Sequence, residues 1–290
     1  MNVLDHGKIV LMETQVLKIA RVGLPVLDLY AEPDGASEVV SQALYGWRVR
    51  LLEKQGDFLR LETADGYCGW AETRYLVSPE STQDESKRVK ITSNAAPVYT
   101  EPDLRYRPLW VLPFEVELAV VEEPAEEERR WIRVRLVEGN MGWIQRGHVT
   151  DDLSPLSLDQ TLRLSRQFLG LPYIWGGTSS FGFDCSGFIQ MLWRQMHITV
   201  PRDARQQYPI CRPLKGNDIA AGDLLFYGSS EEVITHVALY LGDRKLIHAA
   251  ARPLPLLQET SLDSPDLHRR FAYHSIRHPP EGYFHNFVRE

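Results

Sequence analysis

The 290-residue chain has few cysteines and no long apolar run. Its three cysteines, Cys68, Cys185 and Cys211, form no CxxC pair, so neither a disulfide framework nor a thiolate zinc site is expected. No apolar stretch approaches the roughly 20 residues that a transmembrane helix needs. The first residues carry Asp5 and Lys8 and lack the apolar region and cleavage site of a signal peptide. The sequence therefore predicts a cytoplasmic protein with free thiols and no membrane association.

Basic residues are also in the minority. The formal net charge is −7, and the first 154 residues account for −8 while the remainder carries +1. An acidic first half argues against nucleic acid or an anionic membrane as the main partner. A composition of 43% hydrophobic and 24% charged residues is ordinary for a globular protein, and the length suggests two or three domains. We expect a monomer without a metal or other cofactor.

The first half contains an internal repeat. Residues 29–34 (LYAEPD) match residues 98–103 (VYTEPD), and in each copy a later aromatic residue lies 12 positions before a tryptophan that follows glycine. Each copy of about 65 residues consists of short β-type runs between turn residues, which predicts a small barrel. Two copies indicate a duplicated domain rather than a solenoid. We expect domains at residues 1–80, 86–152 and 155–290, joined by polar linkers.

A short stretch of the second half has the properties of a nucleophile site. Residues 183–187, Phe-Asp-Cys-Ser-Gly, open an amphipathic run that extends to about His197. Asp184 is a good N-cap residue, so Cys185 should lie in the first helical turn. There the helix dipole favours the thiolate, which is the reactive form. The alternative is a small buried apolar cysteine, but the preceding glycines and the downstream histidines favour the nucleophile.

A cysteine nucleophile needs a base, and two histidines lie on consecutive predicted strands. His236 begins the first of these strands, and His248 lies in the second. If His236 is the base, His248 can orient its other ring nitrogen, provided that both face the same side of the sheet. A three-residue loop over 242–244, or an equivalent bulge, would meet this condition by pairing Ala238 with His248. A metal site is the rival use of the same cysteine and histidines, and the absence of a close ligand pair disfavours it.

Six ordered motifs span the second half: YIWGG (173–177), DCSG (184–187), PRDA (201–204), GDLLF (222–226), THVALYLGD (235–243) and IHA (247–249). Together they resemble the NlpC family of bacterial cell-wall cysteine peptidases over about residues 157–290. The two repeats resemble bacterial SH3-like domains, which usually bind or position ligands. The resemblance implies an α+β papain-like cysteine peptidase domain preceded by two small all-β SH3-like barrels, as in γ-D-glutamyl-L-diamino acid endopeptidases that act on murein peptides.

The same resemblance assigns roles to catalytic residues. It implies that Cys185 is the nucleophile, His236 the base and His248 the third polar residue. Tyr173 matches a tyrosine near the oxyanion. A thiol hydrolase of this kind would cleave the amide between γ-D-Glu and the diamino acid, either diaminopimelate or Lys, through an acyl-enzyme.

The resemblance also assigns substrate contacts. Asp184 and Ser186 match residues that recognise the free amine of an N-terminal L-Ala, and a carboxylate there is a good ammonium partner. Tyr67 matches a tyrosine by which the first SH3-like domain walls the pocket. The remaining expected substrate-binding residues are Trp175, Arg202 and Asp203. For the last two, a structural ion pair is an equally good interpretation.

Two other functions stay open. One is a different amidase or an acyltransferase on the same fold, and the other is a non-catalytic wall-binding protein, which the intact cysteine and histidines disfavour. Without a signal peptide, we expect the substrate to be a short recycled murein peptide rather than intact wall. Residues 253–290, rich in Pro, His and Arg, match no pattern with a predicted role.

Overall fold

The computed structural model of the chain describes residues 19–78, 87–122, 130–214 and 219–279. The chain divides into two compact units, Met1–Ser154 and Pro155–Glu290. The first unit is built from strands, and the second combines helices with an antiparallel sheet. In the described ranges no helix is long and apolar enough to cross a membrane.

Seven strands form the first copy: β1 (Ile19–Val22), β2 (Val26–Tyr30), β3 (Val39–Leu44), β4 (Arg48–Gln55), β5 (Phe58–Glu62), β6 (Cys68–Glu72) and β7 (Leu76–Val77). They form one antiparallel sheet in the order β3-β2-β6-β5-β4-β1-β7. Every second residue of β1 and β2 is buried, because successive side chains of a strand point to opposite faces. The inward side chains, among them Leu29 and Leu61, form the core of this first barrel.

Seven further strands repeat this arrangement: β8 (Arg88–Ile91), β9 (Ala95–Tyr99), β10 (Trp110–Pro113), β11 (Glu117–Glu122), β12 (Trp131–Arg135), β13 (Met141–Gln145) and β14 (Val149–Thr150). Their order in the sheet, β10-β9-β13-β12-β11-β8-β14, reproduces that of the first barrel strand for strand. The duplication that the sequence indicates is therefore present in the topology.

The repeated motif residues have matching positions in the two barrels. Tyr30 contacts Phe58 edge to face with ring centroids 6.3 Å apart, and Tyr99 contacts Trp131 in the same way at 5.5 Å. The glycine before each tryptophan lies where the chain leaves no room for a side chain. A Cβ would lie 2.8 Å from Leu29 Cβ in the first barrel and 2.6 Å from Val98 Cγ1 in the second, at Gly69 and Gly142 respectively.

The first barrel contributes residues to the core of the second. Tyr45, at the end of the first copy's third strand, is 1% exposed and lies among the buried residues of the second barrel. Its hydroxyl donates to Glu138 Oε2 at 2.6 Å and accepts from the Val137 N–H at 2.9 Å. Burial and the Glu138 carboxylate raise the pKa of Tyr45 well above its usual value, so the phenol stays protonated. This packing joins what the sequence presents as two separate copies.

The second unit contains the helices α1 (Leu158–Ser165), α2 (Cys185–Gln195), α3 (Ala204–Ile210) and α4 (Pro265–Arg270). Its strands are β15 (Thr178–Ser179), β16 (Gly182–Phe183), β17 (Arg212–Pro213), β18 (Leu224–Gly228), β19 (Ile234–Gly242), β20 (Lys245–Ala250), β21 (Leu256–Ser261) and β22 (Tyr273–His278). Six of them form an antiparallel sheet in the order β17-β22-β18-β19-β20-β21, and β15 pairs with β16.

Helix α2 is the buried centre of this unit. It packs against β19 and β20, and all of its residues except Arg194 are buried. The predicted amphipathic run to about His197 corresponds to α2, which ends at Gln195, but the helix has no broad solvent-facing side. Burial of its polar side chains is tolerated because they are hydrogen-bonded. Gln190, for example, donates to the Val200 carbonyl at 3.0 Å and accepts from Arg194 at 3.1 Å.

Candidate active site

The glycine-rich loop 173–177 is held against the strand that leads into α2. Tyr173 forms a β-bridge with Phe183, and the Ile174 N–H donates to the Phe183 carbonyl at 3.1 Å. The Asp184 N–H in turn donates to the Gly177 carbonyl at 3.0 Å. These bonds bring the aromatic loop alongside the start of α2.

Asp184 caps α2 as predicted. Its side chain accepts from the Gly187 N–H at 2.7 Å, so Cys185 is the first residue of the helix. Gly187 permits this turn because a Cβ there would lie 2.1 Å from the Gly177 carbonyl oxygen. The requirement for glycine explains the fourth position of the Asp-Cys-Ser-Gly motif.

The Cys185 thiol is buried and protonated at rest. Burial, followed by the charge of the Asp184 carboxylate, raises the pKa of the Cys185 thiol to about 12. Backbone N–H groups of Val237 and Ser186 hydrogen-bond the sulfur and offset part of this rise. Burial thus opposes the thiolate that the helix dipole was expected to favour. The thiol needs a base, and Val237, whose N–H bonds the sulfur, follows His236 directly in β19.

His236 and His248 face each other across two neighbouring strands. His236 Nε2 lies 2.7 Å from His248 Nδ1, and His248 Nε2 lies 3.1 Å from Thr260 Oγ1 on β21. The first contact leaves His236 Nδ1 available to accept the thiol proton. In that state His236 Nε2 donates to His248, and His248 donates to Thr260. With His236 Nδ1 as the proton acceptor, each ring therefore has one defined tautomer.

The register that brings these histidines together comes from a bulge. Leu239 pairs with Ile247, which sets Ala238 level with His248, but Gly242 rather than Leu241 pairs with Lys245. The predicted three-residue loop is replaced by a two-residue turn, Asp243-Arg244, with both residues at positive φ. The alternative prediction, an equivalent bulge that turns both histidines to one side, is the one the structure has.

The histidines are kept neutral by their surroundings. The Phe271 ring stacks on His236 with centroids 5.5 Å apart and planes at 6°. Burial, with smaller contributions from His248 and Arg270, lowers the pKa of His236 well below its usual value. Burial and Arg270 lower the pKa of His248 to about 4. Both imidazoles are therefore unprotonated at neutral pH, and His236 is a free base.

Asp184 also forms a buried ion pair with Arg202. The guanidinium reaches both carboxylate oxygens, with Nη1 to Oδ1 at 3.0 Å and Nη2 to Oδ2 at 2.5 Å. Ser186 Oγ accepts from the same Nη1 at 3.0 Å. The carboxylate further accepts from the Gly176 N–H at 3.1 Å. The ion pair that the sequence offered as an alternative thus exists, but its acid is Asp184 rather than Asp203.

The other predicted substrate-binding residues lie in different settings. Asp203 caps α3 through a capping box with Gln206. Trp175 is 63% exposed at the tip of its loop. Tyr67, in the first unit, lies half-buried in the turn between β5 and β6, where its carbonyl accepts from the Thr63 N–H at 2.9 Å. Binding roles for these residues stay predictions.

Tyr173 lies close to the nucleophile. It is half-buried, and burial, then the charges of Cys185 and Asp184, raise its pKa well above the usual value. The phenol is therefore a stable hydrogen-bond donor at neutral pH. Together with the Cys185 N–H, which has no partner within the first helical turn, it can stabilise a developing oxyanion.

The geometry does not suit the rival metal site. A metal would need nitrogen lone pairs from both histidines directed at one centre, whereas His236 Nε2 and His248 Nδ1 are bonded to each other. Within the described ranges no group of three or more His, Cys, Asp or Glu side chains is arranged to hold a metal ion.

Two residues of this site are not predicted by the sequence. Thr260 and Phe271 belong to the tail that matched no pattern, yet one ends the hydrogen-bond chain and the other covers the base. The strand 256–261 alternates only weakly in polarity, so its signal was slight.

Comparison with known proteins identifies the family. Residues 170–268 match the NlpC/P60 family, and residues 29–76 match the bacterial dipeptidyl-peptidase Sh3 domain. The γ-D-glutamyl-L-lysine dipeptidyl-peptidase of Bacillus cereus is 30% identical over 231 residues, which cover 74% of this chain and 68% of that protein. The chain belongs to the NlpC/P60 family. The Bacillus subtilis protein of the same name is also 30% identical, over 73% of this chain and 72% of its own length.

A solved structure agrees with the fold. An NlpC/P60 family protein from Bacillus cereus superposes with a TM-score of 0.77 over 90% of this chain and 98% of that one, at 24% identity. The predicted papain-like domain after SH3-like barrels is confirmed, as is a cysteine peptidase of the cell-wall peptide hydrolase type.

Proposed function

We propose that this NlpC/P60 chain hydrolyses the amide between γ-D-Glu and the L-diamino acid of murein peptides that carry a free N-terminal L-Ala. One observation carries the proposal: the relatives that align with both units are dipeptidyl-peptidases. Those from Bacillus cereus, Bacillus subtilis and Lysinibacillus sphaericus cover 73–77% of this chain. By contrast, a probable endopeptidase from Listeria seeligeri covers 29%.

The chemistry follows from the site geometry. His236 Nδ1 accepts the Cys185 proton as the sulfur attacks the γ-carbonyl carbon of D-Glu. Burial disfavours each charge alone, but a thiolate and an imidazolium formed together stabilise each other in a low-dielectric site. His236 then protonates the leaving amine of the diamino acid, which breaks the C–N bond and leaves a thioester. Water, deprotonated by the same nitrogen, releases L-Ala-D-Glu and restores the thiol.

The residues around the nucleophile divide the remaining tasks. The Cys185 N–H and the Tyr173 hydroxyl bind the oxyanion of both tetrahedral intermediates. His248 and Thr260 hold His236 in the tautomer that presents Nδ1 to the sulfur. Asp184 and Ser186, which flank Cys185 in the chain, contribute the negative charge and the hydroxyl for the L-Ala ammonium. Arg202 keeps that carboxylate ordered before substrate arrives.

We further propose that the substrates are short recycled peptides in the cytoplasm. The three cysteines are unpaired, which fits a reducing compartment. A free thiol nucleophile also stays active longest where disulfide formation is disfavoured.

The test is mass spectrometry of L-Ala-γ-D-Glu-diaminopimelate and L-Ala-γ-D-Glu-Lys after incubation with the purified chain. Wild type is expected to release L-Ala-D-Glu from at least one of them, and Cys185→Ala to release none. Cys211→Ala, which removes a second buried thiol of the same unit, is the matched control and should retain activity. An N-acetylated peptide should resist cleavage. Folded wild-type protein that leaves both free peptides intact, or that cleaves acetylated and free peptides equally, contradicts the proposal.

A further inference from the structure

An arginine stands at the edge of the catalytic centre without a role in the reaction described above. Arg270 is the last residue of α4, and its guanidinium lies 5.3 Å from the centroid of the Phe271 ring. That ring stacks on His236. Nη1 of Arg270 donates to the Arg252 carbonyl at 2.6 Å, which fixes the side chain at this position.

The charge of Arg270 is uncompensated in the part of the chain that the structure describes. Its neighbour Arg269 pairs with Asp266 at 2.6 Å, but no carboxylate of the described ranges lies within ion-pair distance of Arg270. The residue is exposed. Its charge nevertheless reaches the site, since it lowers the pKa of both His236 and His248 and opposes the rise at Tyr173.

Arg270 lies next to the ring that covers the base of the site. The ion pair of Asp184 with Arg202 lies at the start of α2, next to the nucleophile. The leaving amine must instead approach His236, because that ring protonates it. The Arg270 guanidinium and the His236 ring both contact the Phe271 ring, so the guanidinium lies near the base that the leaving amine approaches.

We propose that the Arg270 guanidinium binds a carboxylate of the leaving diamino acid and thereby favours substrates in which that carboxylate is free. The inference rests on the proposed function and adds its leaving-group specificity. A leaving diamino acid has an α-carboxylate when the peptide ends there, and diaminopimelate has a second carboxylate at its far end. Arginine suits either one, because its planar fork donates two parallel hydrogen bonds to a carboxylate.

The experiment compares kcat/KM for four peptides: L-Ala-γ-D-Glu-Lys, L-Ala-γ-D-Glu-diaminopimelate, and the α-carboxamide of each. Wild type should prefer a free carboxylate by roughly two- to fivefold, the effect of one well-placed charged pair at an exposed site. In Arg270→Gln this preference should fall to about one, and in Arg270→Lys to an intermediate value. The matched control is Arg269→Gln, which removes a charge from the same helical turn and should keep the wild-type preference.

The four peptides separate the sources of the carboxylate. If amidation lowers kcat/KM for the Lys peptide, Arg270 binds the α-carboxylate. If the diaminopimelate α-carboxamide keeps the kcat/KM of its free peptide, Arg270 binds the distal carboxylate. Equal loss of kcat/KM on all four peptides in Arg270→Gln would overturn the inference, because it indicates an effect on the histidines or on the loop at Arg252. An unchanged preference in that variant would overturn it too. If wild type cleaves none of the peptides, the proposed function itself fails.

Discussion

At the scale of single residues, the site is a chain of neutral groups that become charged only together. Cys185 is a protonated thiol because burial raises its pKa, and His236 is a free base because burial lowers its pKa. The sequence motifs predict these two residues and His248. Thr260 could not be predicted, because its contact with His248 depends on how β21 aligns with β20.

The pH dependence of kcat/KM tests this residue-scale description. The reactive state needs unprotonated His236, and its lowered pKa keeps that state populated below pH 6.5. We expect the acid limb of the wild-type profile to have its midpoint below pH 6.5. Thr260→Val removes the acceptor of the His248 Nε2 proton and should lower the plateau roughly tenfold, with little change in KM.

Thr260→Ser is the matched variant for this measurement, since it keeps the hydroxyl and should retain most of the wild-type rate. An acid limb at or above pH 6.5, or equal rates for the Val and wild-type proteins, would contradict the arrangement of His236, His248 and Thr260. Circular dichroism at each pH shows whether a loss of rate reflects unfolding.

At the scale of elements, the start of α2 depends on a close approach of two backbone segments. Gly187 lies against the Gly177 carbonyl, and its N–H bonds the Asp184 cap. A motif of four consecutive residues was enough to predict this helix start. The extent of its burial was not predictable, because it depends on β19 and β20, which come about 50 residues later in the chain.

Gly187→Ala should therefore damage both stability and activity. Its Cβ would meet the Gly177 oxygen at 2.1 Å, so the loop or the helix start must move. We expect the free energy of unfolding to fall by about 1–3 kcal/mol and kcat/KM to fall roughly a hundredfold, because Cys185 shifts away from His236.

Chemical denaturation and peptide cleavage measure the two effects of Gly187→Ala. Gly35→Ala is the control, since a Cβ at that position meets no atom within 4 Å. It should change neither quantity appreciably. Wild-type activity in Gly187→Ala would show that this close approach does not position the nucleophile.

At the scale of the whole molecule, the first unit is one body made from two copies of a barrel. The repeat in the sequence predicts two similar folds but not that they pack against each other. Tyr45 connects the two barrels through hydrogen bonds with Val137 and Glu138 of the second copy.

Tyr45→Phe should weaken the packing between the two barrels while it keeps the shape of the side chain. Loss of the hydroxyl leaves the Val137 N–H and the Glu138 carboxylate without this partner, which costs roughly 1–3 kcal/mol. Hydrogen exchange of the most protected amides in both barrels measures the change. Tyr30→Phe, in the same unit but with its ring against Phe58 of its own barrel, is the control and should have a smaller effect. Equal protection in both variants and wild type would contradict the role of this contact.

The sequence by itself determined the features that neighbours along the chain control: the duplicated barrel, the capped helix that begins at Cys185, and two histidines on consecutive strands. Short-range hydrogen bonding and the alternation of side chains decide these, so a local pattern suffices. Only the tertiary structure decided which distant groups meet, namely Asp184 with Arg202, His248 with Thr260, Phe271 with His236, and Arg270 beside them. These contacts follow from strand register and from the packing of α4. Three of the partners lie within residues 253–279, where no local motif marks them.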